Sequence, residues 1–299
     1  QRGTNTIVVA SRSGKMGNAA PNEQGLLMAS RANVEVARCD SAEFSASRSL
    51  FAVSASLPRL SGIWHAAGVL SDGLLAKHNA QTLSHVYGPK AHGAHLLQRA
   101  SAASPLFRSL NFSSVVALMG GAGQSNYSAA NCCLDAHAAY RRVIGQVGTA
   151  VQWGAWAEVG MASGAKIGSR FEASGYFLIQ LAQGLRAVHA AVQLDRPAVV
   201  GCVPADWAKI IRNEAVVPAF LSAVAKKPKE ESTGGGSRKG EKKKRGPKSD
   251  ASVESVAITV EAVKAMVSRT VGSDCDIDVP LVEVGLDSLG AVELTNLVQ

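Results

Sequence analysis

The stretch "NFSSVVALMGGAGQSNYSAANCCLDAHAAY", residues 111–140, decides how this chain is to be read. A short run closes on Ser113-Ser114 as a strand would, a Gly-rich stretch follows at 120–123, and a helical pattern begins near Tyr127. Tyr127 and Asn131 lie four residues apart, which puts both side chains on one helical face. Strand, turn and helix in that order make one unit of a parallel sheet, and in open sheets of this kind ligands bind at the carboxyl ends of the strands.

The pattern repeats outward through residues 1–225. Strand-like runs are Thr6–Ala10 (TIVVA), Val34–Cys39, Leu60–His65, Leu110–Ser114, Thr149–Trp153 and Ala198–Val203. Helix candidates lie between them, around 80–100, 125–145 and 175–194. Alternation of this kind predicts right-handed βαβ units and a parallel sheet covered on both faces. The strand ending at Ser114, the His65–Gly68 loop and the start of the Tyr127 helix then converge at one edge, with Lys90 on the preceding helix.

Charge marks the next boundary. The net charge is +8, yet 226–248 alone carries ten Lys/Arg against three Glu, or +7. That stretch is poor in apolar residues and rich in Gly, Pro and Ser, so 226–251 reads as a disordered basic linker rather than a nucleic-acid arm. Beyond it, 252–299 reads as helix, loop, helix. There is no apolar run of membrane-spanning length and no signal peptide, so neither nucleic acid nor a membrane is an expected partner. The five cysteines are odd in number and show no C-x-x-C spacing. Free thiols in a reducing compartment, the cytoplasm or a plastid, are expected, with Cys132 and Cys133 packed inside a helix. Asp274, Asp276 and Asp278 imitate a calcium loop, but Val279 and Gly285 stand where its glycine and last glutamate belong, so no metal site is expected.

Singly, each polar residue has a plain reading: Tyr127 as a core tyrosine, Ser114 as a strand end, Lys90 as a solvated helix position, His65 as structural. As a set they resemble the ketoreductase domain of modular polyketide synthases, a branch of the short-chain dehydrogenase/reductase superfamily. The resemblance runs from about residue 4 to 222 through SRSG (11–14), CD (39–40), HAAGVLSD (65–72), GPKAHGA (88–94), FSS (112–114), GQSNYSAAN (123–131) and WGAWAEVGMA (153–162). Most of the superfamily has Tyr-x-x-x-Lys. This chain has Tyr-x-x-x-Asn with its lysine upstream at Lys90, the synthase pattern.

The resemblance implies NADPH-dependent reduction of a carrier-bound β-ketoacyl thioester to the β-hydroxyacyl thioester. Tyr127 would protonate the carbonyl oxygen, Lys90 would lower the tyrosine's pKa, Ser114 would donate a second hydrogen bond, and Asn131 would hold Lys90 or a water. Arg12 would face the 2′-phosphate of the cofactor and Asp40 its adenine, with Gly68 and Lys90 also on the cofactor side. Stereocontrol would fall to Asp72, Met119 and Asn126. The family splits between a group with Leu-Asp-Asp after the HAAG stretch and a group with Trp eight residues before the tyrosine. Here the loop reads Leu70-Ser71-Asp72, position 119 is Met, and Asn126 precedes Tyr127, which implies the first group's D-configured product.

Residues 252–299 resemble the first half of an acyl carrier protein, with GLDSL at 285–289. Ser288 would then accept 4′-phosphopantetheine from a phosphopantetheinyl transferase, at a helix start that favours the anionic arm. The same Ser288 also reads as a helix cap. The expected fold class is α/β: a Rossmann-like doubly wound parallel sheet (1–225) lacking its first strand, the linker (226–251), and a truncated all-α carrier (252–299). The family's opening strand and G-x-G-x-x-G turn are absent, so Thr6–Ala10 and Val34–Cys39 should lack a bridge to the other strands. The chain reads as a fragment that is inactive alone, with other synthase domains as partners in a longer polypeptide. The same region of a multifunctional fatty acid synthase and a non-catalytic structural module are the alternatives.

Overall fold

A computed structural model describes residues 6–16, 32–54, 60–158, 172, 174–193, 195–213, 217–222 and 260–271. The elements run β1 (Thr6–Ser11), β2 (Asn33–Arg38), α1 (Phe44–Ser54), β3 (Gly62–His65), α2 (Ala80–Tyr87), a π turn (Gly88–His92), α3 (Gly93–Ala100), β4 (Arg108–Ser114), α4 (Val116–Met119), α5 (Ser125–Val143), β5 (Thr149–Trp153), α6 (Leu181–Ala191), β6 (Val199–Cys202), α7 (Trp207–Asn213) and α8 (Val260–Val271). All six strands stand where alternation in the sequence puts them. Helices α1, α4 and α7 are additions to the sequence pattern. In α1 the serines at 45, 47, 49 and 54 favour turns over helix and obscure its apolar period.

Strands β3-β4-β5-β6 form one parallel sheet, with Leu110 opposite Thr149 and Ala150 opposite Val199. Strand β5, TAVQW, is buried at all five positions, as a central strand with covered faces should be. Leu110, Val151, Trp153, Ile179 and Ala191 form the core, with Phe112 and Trp156 packed on it. The rings of Trp153 and Trp156 lie 4.9 Å apart and tilted.

Strands β1 and β2 pair in parallel as a separate two-stranded sheet. No ladder joins β1 to β3 among the described residues. Although apolar, β1 has no buried position. The segment after β2 nevertheless packs on the larger body: a Cβ on Gly93 would lie 2.9 Å from Ser41 Oγ, and Arg99 of α3 sits 4.7 Å from the ring centroid of Phe44 in α1.

One expectation is corrected here. Cys132 and Cys133 are exposed, because five and six residues beyond Tyr127 lies the outer side of α5. All four described cysteines are free. No helix among the described residues is long and apolar enough to cross a membrane, and no group of three or more His, Cys, Asp or Glu there could hold a metal ion. The linker and Ser288 lie outside the described residues, and of 252–299 only α8 is described.

Candidate active site

Pro89 sets the local geometry. It has no N–H to donate, and within a continuous α-helix its ring would crowd the carbonyl four residues back. The chain between α2 and α3 widens instead into the π turn Gly88–His92, where the Gly93 N–H reaches back to Gly88 O. Turns of this kind often mark functional positions. This one carries Lys90 inward to 3% exposure. His65, at the end of β3, meets the turn from below, its Nε2 3.1 Å from Lys90 O. With an acceptor opposite it, Nε2 carries the hydrogen, and the ring is neutral: burial first, then the Lys90 charge, hold its pKa down at about 4.

Lys90 Nζ donates to Asn131 Oδ1 at 2.9 Å and to Phe112 O at 3.2 Å, and lies 4.9 Å from the Tyr127 ring centroid. Asn131 Nδ2 donates to Tyr127 O at 2.8 Å, which leaves its Oδ1 free to accept from the lysine. Tyr127 packs with Val86 and Ala130 in a small cluster between α2 and α5. Burial lowers the Lys90 pKa to about 8, and Asp135 partly offsets that. The Tyr127 phenol is raised by burial, against Asn131 and Ser114, which favour the phenolate. The expected lowering of the Tyr127 pKa by Lys90 is therefore not the balance found: the ammonium stands over the ring face, and desolvation dominates.

Ser114 ends β4, its Oγ 3.5 Å from Trp153 O and accepting from Val116 N at 3.4 Å. Tyr127, Ser114, Lys90 and Asn131 thus meet at the carboxyl end of β4, as the sequence suggests. Gly68 stands there for a steric reason: a Cβ would lie 2.9 Å from Lys90 Cε.

The loop after β3 is tied to the start of α5 by three bonds. Asn126 Nδ2 donates to Ser71 O at 2.8 Å, Gln124 Nε2 to Asp72 Oδ2 at 3.0 Å, and Gly73 N to Gly123 O at 2.8 Å. Asn126 Oδ1 also accepts from Tyr127 N at 2.7 Å, so one buried amide braces loop and helix together. Gly120 and Gly123, at φ 76° and 69°, supply the left-handed turns that bring this stretch back toward the loop. Met119 ends α4 half-buried; it is Val116 that packs on the Tyr127 cluster. Gln124 and Asp135 escape the sequence reading, although Asp135 lies four residues past Asn131 on the same helical stripe.

Arg12 is exposed just past β1, and Asp40 follows β2 with Oδ1 accepting from Ala42 N at 3.0 Å. No bond among the described residues joins either to Lys90 or Tyr127. An exposed guanidinium beside the hydroxyls of Ser11 and Ser13 has the donor chemistry that an anionic phosphate requires.

A family model for the KR domain matches residues 1–158. Polyketide synthase GfsB of Streptomyces halstedii is 36% identical over 216 residues, covering 72% of this chain and 4% of its own length. GfsA of the same organism is 32% identical over 99% of this chain and 4% of its own length. Pks1 of Mycobacterium tuberculosis, a phenolphthiocerol synthesis polyketide synthase whose name describes it as inactive, is 32% identical over 98% of this chain and 19% of its own. Among solved structures, an A-type ketoreductase from a modular polyketide synthase matches with TM-score 0.63 and 30% identity over 69% of this chain and 44% of that one. A C2-type ketoreductase matches with TM-score 0.59 and 28% identity over 69% and 42%. The chain thus spans a small part of the curated relatives and less than half of these two solved chains.

The two buried histidines generate a pH prediction. His65 and His137 are each held at about 4, chiefly by burial, against an ordinary value of 6.5. Both are neutral when folded and gain protons on unfolding below 6.5, so the unfolded state binds more protons and stability falls as pH drops from 6.5 toward 4. His65 alone should cost on the order of 2–3 kcal/mol by the acid end of that window. Urea melts across it will show this, and His65→Gln will remove part of the slope. A stability flat across the window would contradict the buried neutral state.

Proposed function

The chain belongs to the KR domain family, the ketoreductases of modular polyketide synthases, and on that basis we propose that it reduces the β-keto group of a carrier-bound acyl thioester with NADPH as cofactor. The observation that carries the reading is the buried Lys90–Asn131–Tyr127 array beside Ser114, at the carboxyl end of a parallel strand. Arg12 and Asp40 would hold the adenosine end of NADPH, and Lys90 and Gly68 would border its reactive end. When bound, that cofactor supplies the hydride.

The residues of the chain do the rest. The phenol of Tyr127 keeps its proton at neutral pH and gives it to the substrate oxygen as charge develops there. Ser114 Oγ donates a second hydrogen bond to the same oxygen. Lys90, held by Asn131, places positive charge beside the phenolate that remains. In the intact synthase polypeptide, Tyr127→Phe should lower ketone reduction by roughly 10²–10⁴-fold while NADPH binding persists. Undiminished turnover would remove Tyr127 from the mechanism. A parent polypeptide that reduces no ketone would favour the non-catalytic reading that the inactive name of Pks1 raises.

We place the substrate on a carrier whose start is residues 252–299, with Ser288 bearing 4′-phosphopantetheine added by a phosphopantetheinyl transferase. The support is the GLDSL sequence, together with relatives that extend far beyond the matched region, as expected if other synthase domains share the polypeptide. Intact mass after incubation of the complete carrier with coenzyme A and a transferase should rise by one arm, and Ser288→Ala should abolish the increase. Modification that persists in the variant would leave Ser288 a helix cap.

The product's configuration follows from the braced loop. Asn126, Gln124 and Gly123 fix the Ser71–Gly73 segment against α5, and a wall of this kind would admit the pantetheine arm from one side and so set the carbonyl face presented to the cofactor. The A-type and C2-type structures match almost equally well, so overall fold does not decide the type. Asp72 and Asn126 favour the D-configured β-hydroxyacyl product. Chiral chromatography of the alcohol formed by the complete reductase will check it, and a mainly L-configured product would overturn the assignment.

A further inference from the structure

Lys90 is a cation with little water, and its hydrogen-bond partners Asn131 Oδ1 and Phe112 O are both neutral. An ammonium taken out of water favours losing its proton unless an opposite charge offsets the cost. The structure places such a charge one helical turn past Asn131. Asp135 continues the stripe Tyr127, Asn131, Asp135 along α5, at four-residue intervals. Its Oδ2 accepts from Gln152 Nε2 of β5 at 2.8 Å, and its Oδ1 is buried without a hydrogen-bond partner. The Ser113 hydroxyl donates to Asn131 O at 3.3 Å and, after Gln152, also favours the charged form of this carboxylate. A buried carboxylate oxygen that accepts nothing is costly, typically by about 1–3 kcal/mol, and calls for a compensating charge.

We propose that Asp135, anchored by Gln152, is a positioning residue that keeps Lys90 charged beside Tyr127. The coupling acts in both directions: Asp135 favours the ammonium against burial, and the Lys90 charge lowers an Asp135 carboxyl that burial raises. Other ionisable groups around Lys90 do not substitute for Asp135. His65 from β3 is neutral and bonded to the Lys90 carbonyl, and Tyr127 from α5 is protonated. Asp72 is exposed and bonded to Gln124, and Asp40, on the turn beside Gly93, accepts from Ala42. On α5, His137 is bonded to Asn111 and Gln98, and Arg141 to Val147 O. His92 and His95 are exposed, and β4 contributes only the Phe112 carbonyl and two hydroxyls. Asp135 is thus the carboxylate whose charge acts on the lysine.

The inference rests on the reading of Lys90 as the charge next to the reacting tyrosine, but its test needs no turnover. With lysine labelled by ¹³C at Cε, the Lys90 resonance is identified by its loss in Lys90→Met. It should titrate near pH 8, apart from the exposed lysines. Asp135→Asn keeps the shape and the acceptor for Gln152 but removes the charge. The Lys90 midpoint should then fall by at least about half a pH unit. A midpoint that does not move overturns the assignment. Should Asp135→Asn fail to fold, the reciprocal measurement decides: in Lys90→Met the Asp135 carboxyl should titrate higher than in the parent chain, and an unchanged value overturns the assignment equally. A separate arm, the alkaline limb of kcat/KM in the intact synthase, should shift to lower pH in Asp135→Asn. If the titrations move and that limb does not, Asp135 still sets the charge on Lys90, and it is the role of Lys90 in reduction that fails.

Discussion

Everything at this site depends on keeping one ammonium group inside the protein. Lys90 leaves bulk water almost completely, and much of the local architecture answers that cost. Two carbonyl-type oxygens accept its hydrogens, an aromatic face lies beneath it, and a carboxylate acts on it from the next turn of α5. Glycine at 68 leaves the volume its side chain needs, and a neutral imidazole secures its backbone. No one of these contacts offsets the cost alone, since a hydrogen bond to a charged group contributes about 1.5–3 kcal/mol net. Their convergence on one nitrogen fixes the lysine's position relative to the tyrosine.

Much of this is legible in the sequence, and the boundary of legibility is physical. Strand β5 reads directly from Ala150, Val151 and Trp153, because a run buried on both faces is mostly apolar, while its buried Thr149 and Gln152 are bonded to Arg142 and Asp135. The face shared by Tyr127 and Asn131 follows from helical spacing alone. The approach of Lys90 to that face does not, because it depends on a widened turn that no periodicity encodes. Only Pro89 hints that the α2–α3 stretch cannot continue regularly. Asp135 is within reach of the same spacing argument, but a carboxylate in mid-helix ordinarily faces water, and only packing shows that one oxygen of this one is buried. For Cys132 and Cys133, apolar character argues for burial and helical phase against it, and the phase wins.

Strength is distributed unevenly across the domain. The four-stranded sheet carries the tryptophan-rich core, whereas β1 and β2 support one another through a single ladder and gain little from burial. Local opening is expected first where apolar burial is thinnest. The residues assigned to the adenosine end of the cofactor therefore sit on the weaker body, and those assigned to proton transfer on the stronger.

The π turn also bears on how such a site could arise. Each residue added to a helix rotates the downstream chain by about 100°. One extra residue between α2 and α3 works as a phase splice: α2 keeps Val86 against α5, α3 keeps Ala94 inward, and the lysine between them points along a direction that neither helix would offer. One inserted position in a helix would be enough to bring a cation to such a place without refitting two packed helices. Length at Gly88–His92 is in that sense as much a part of the chemistry as the identity of the lysine itself.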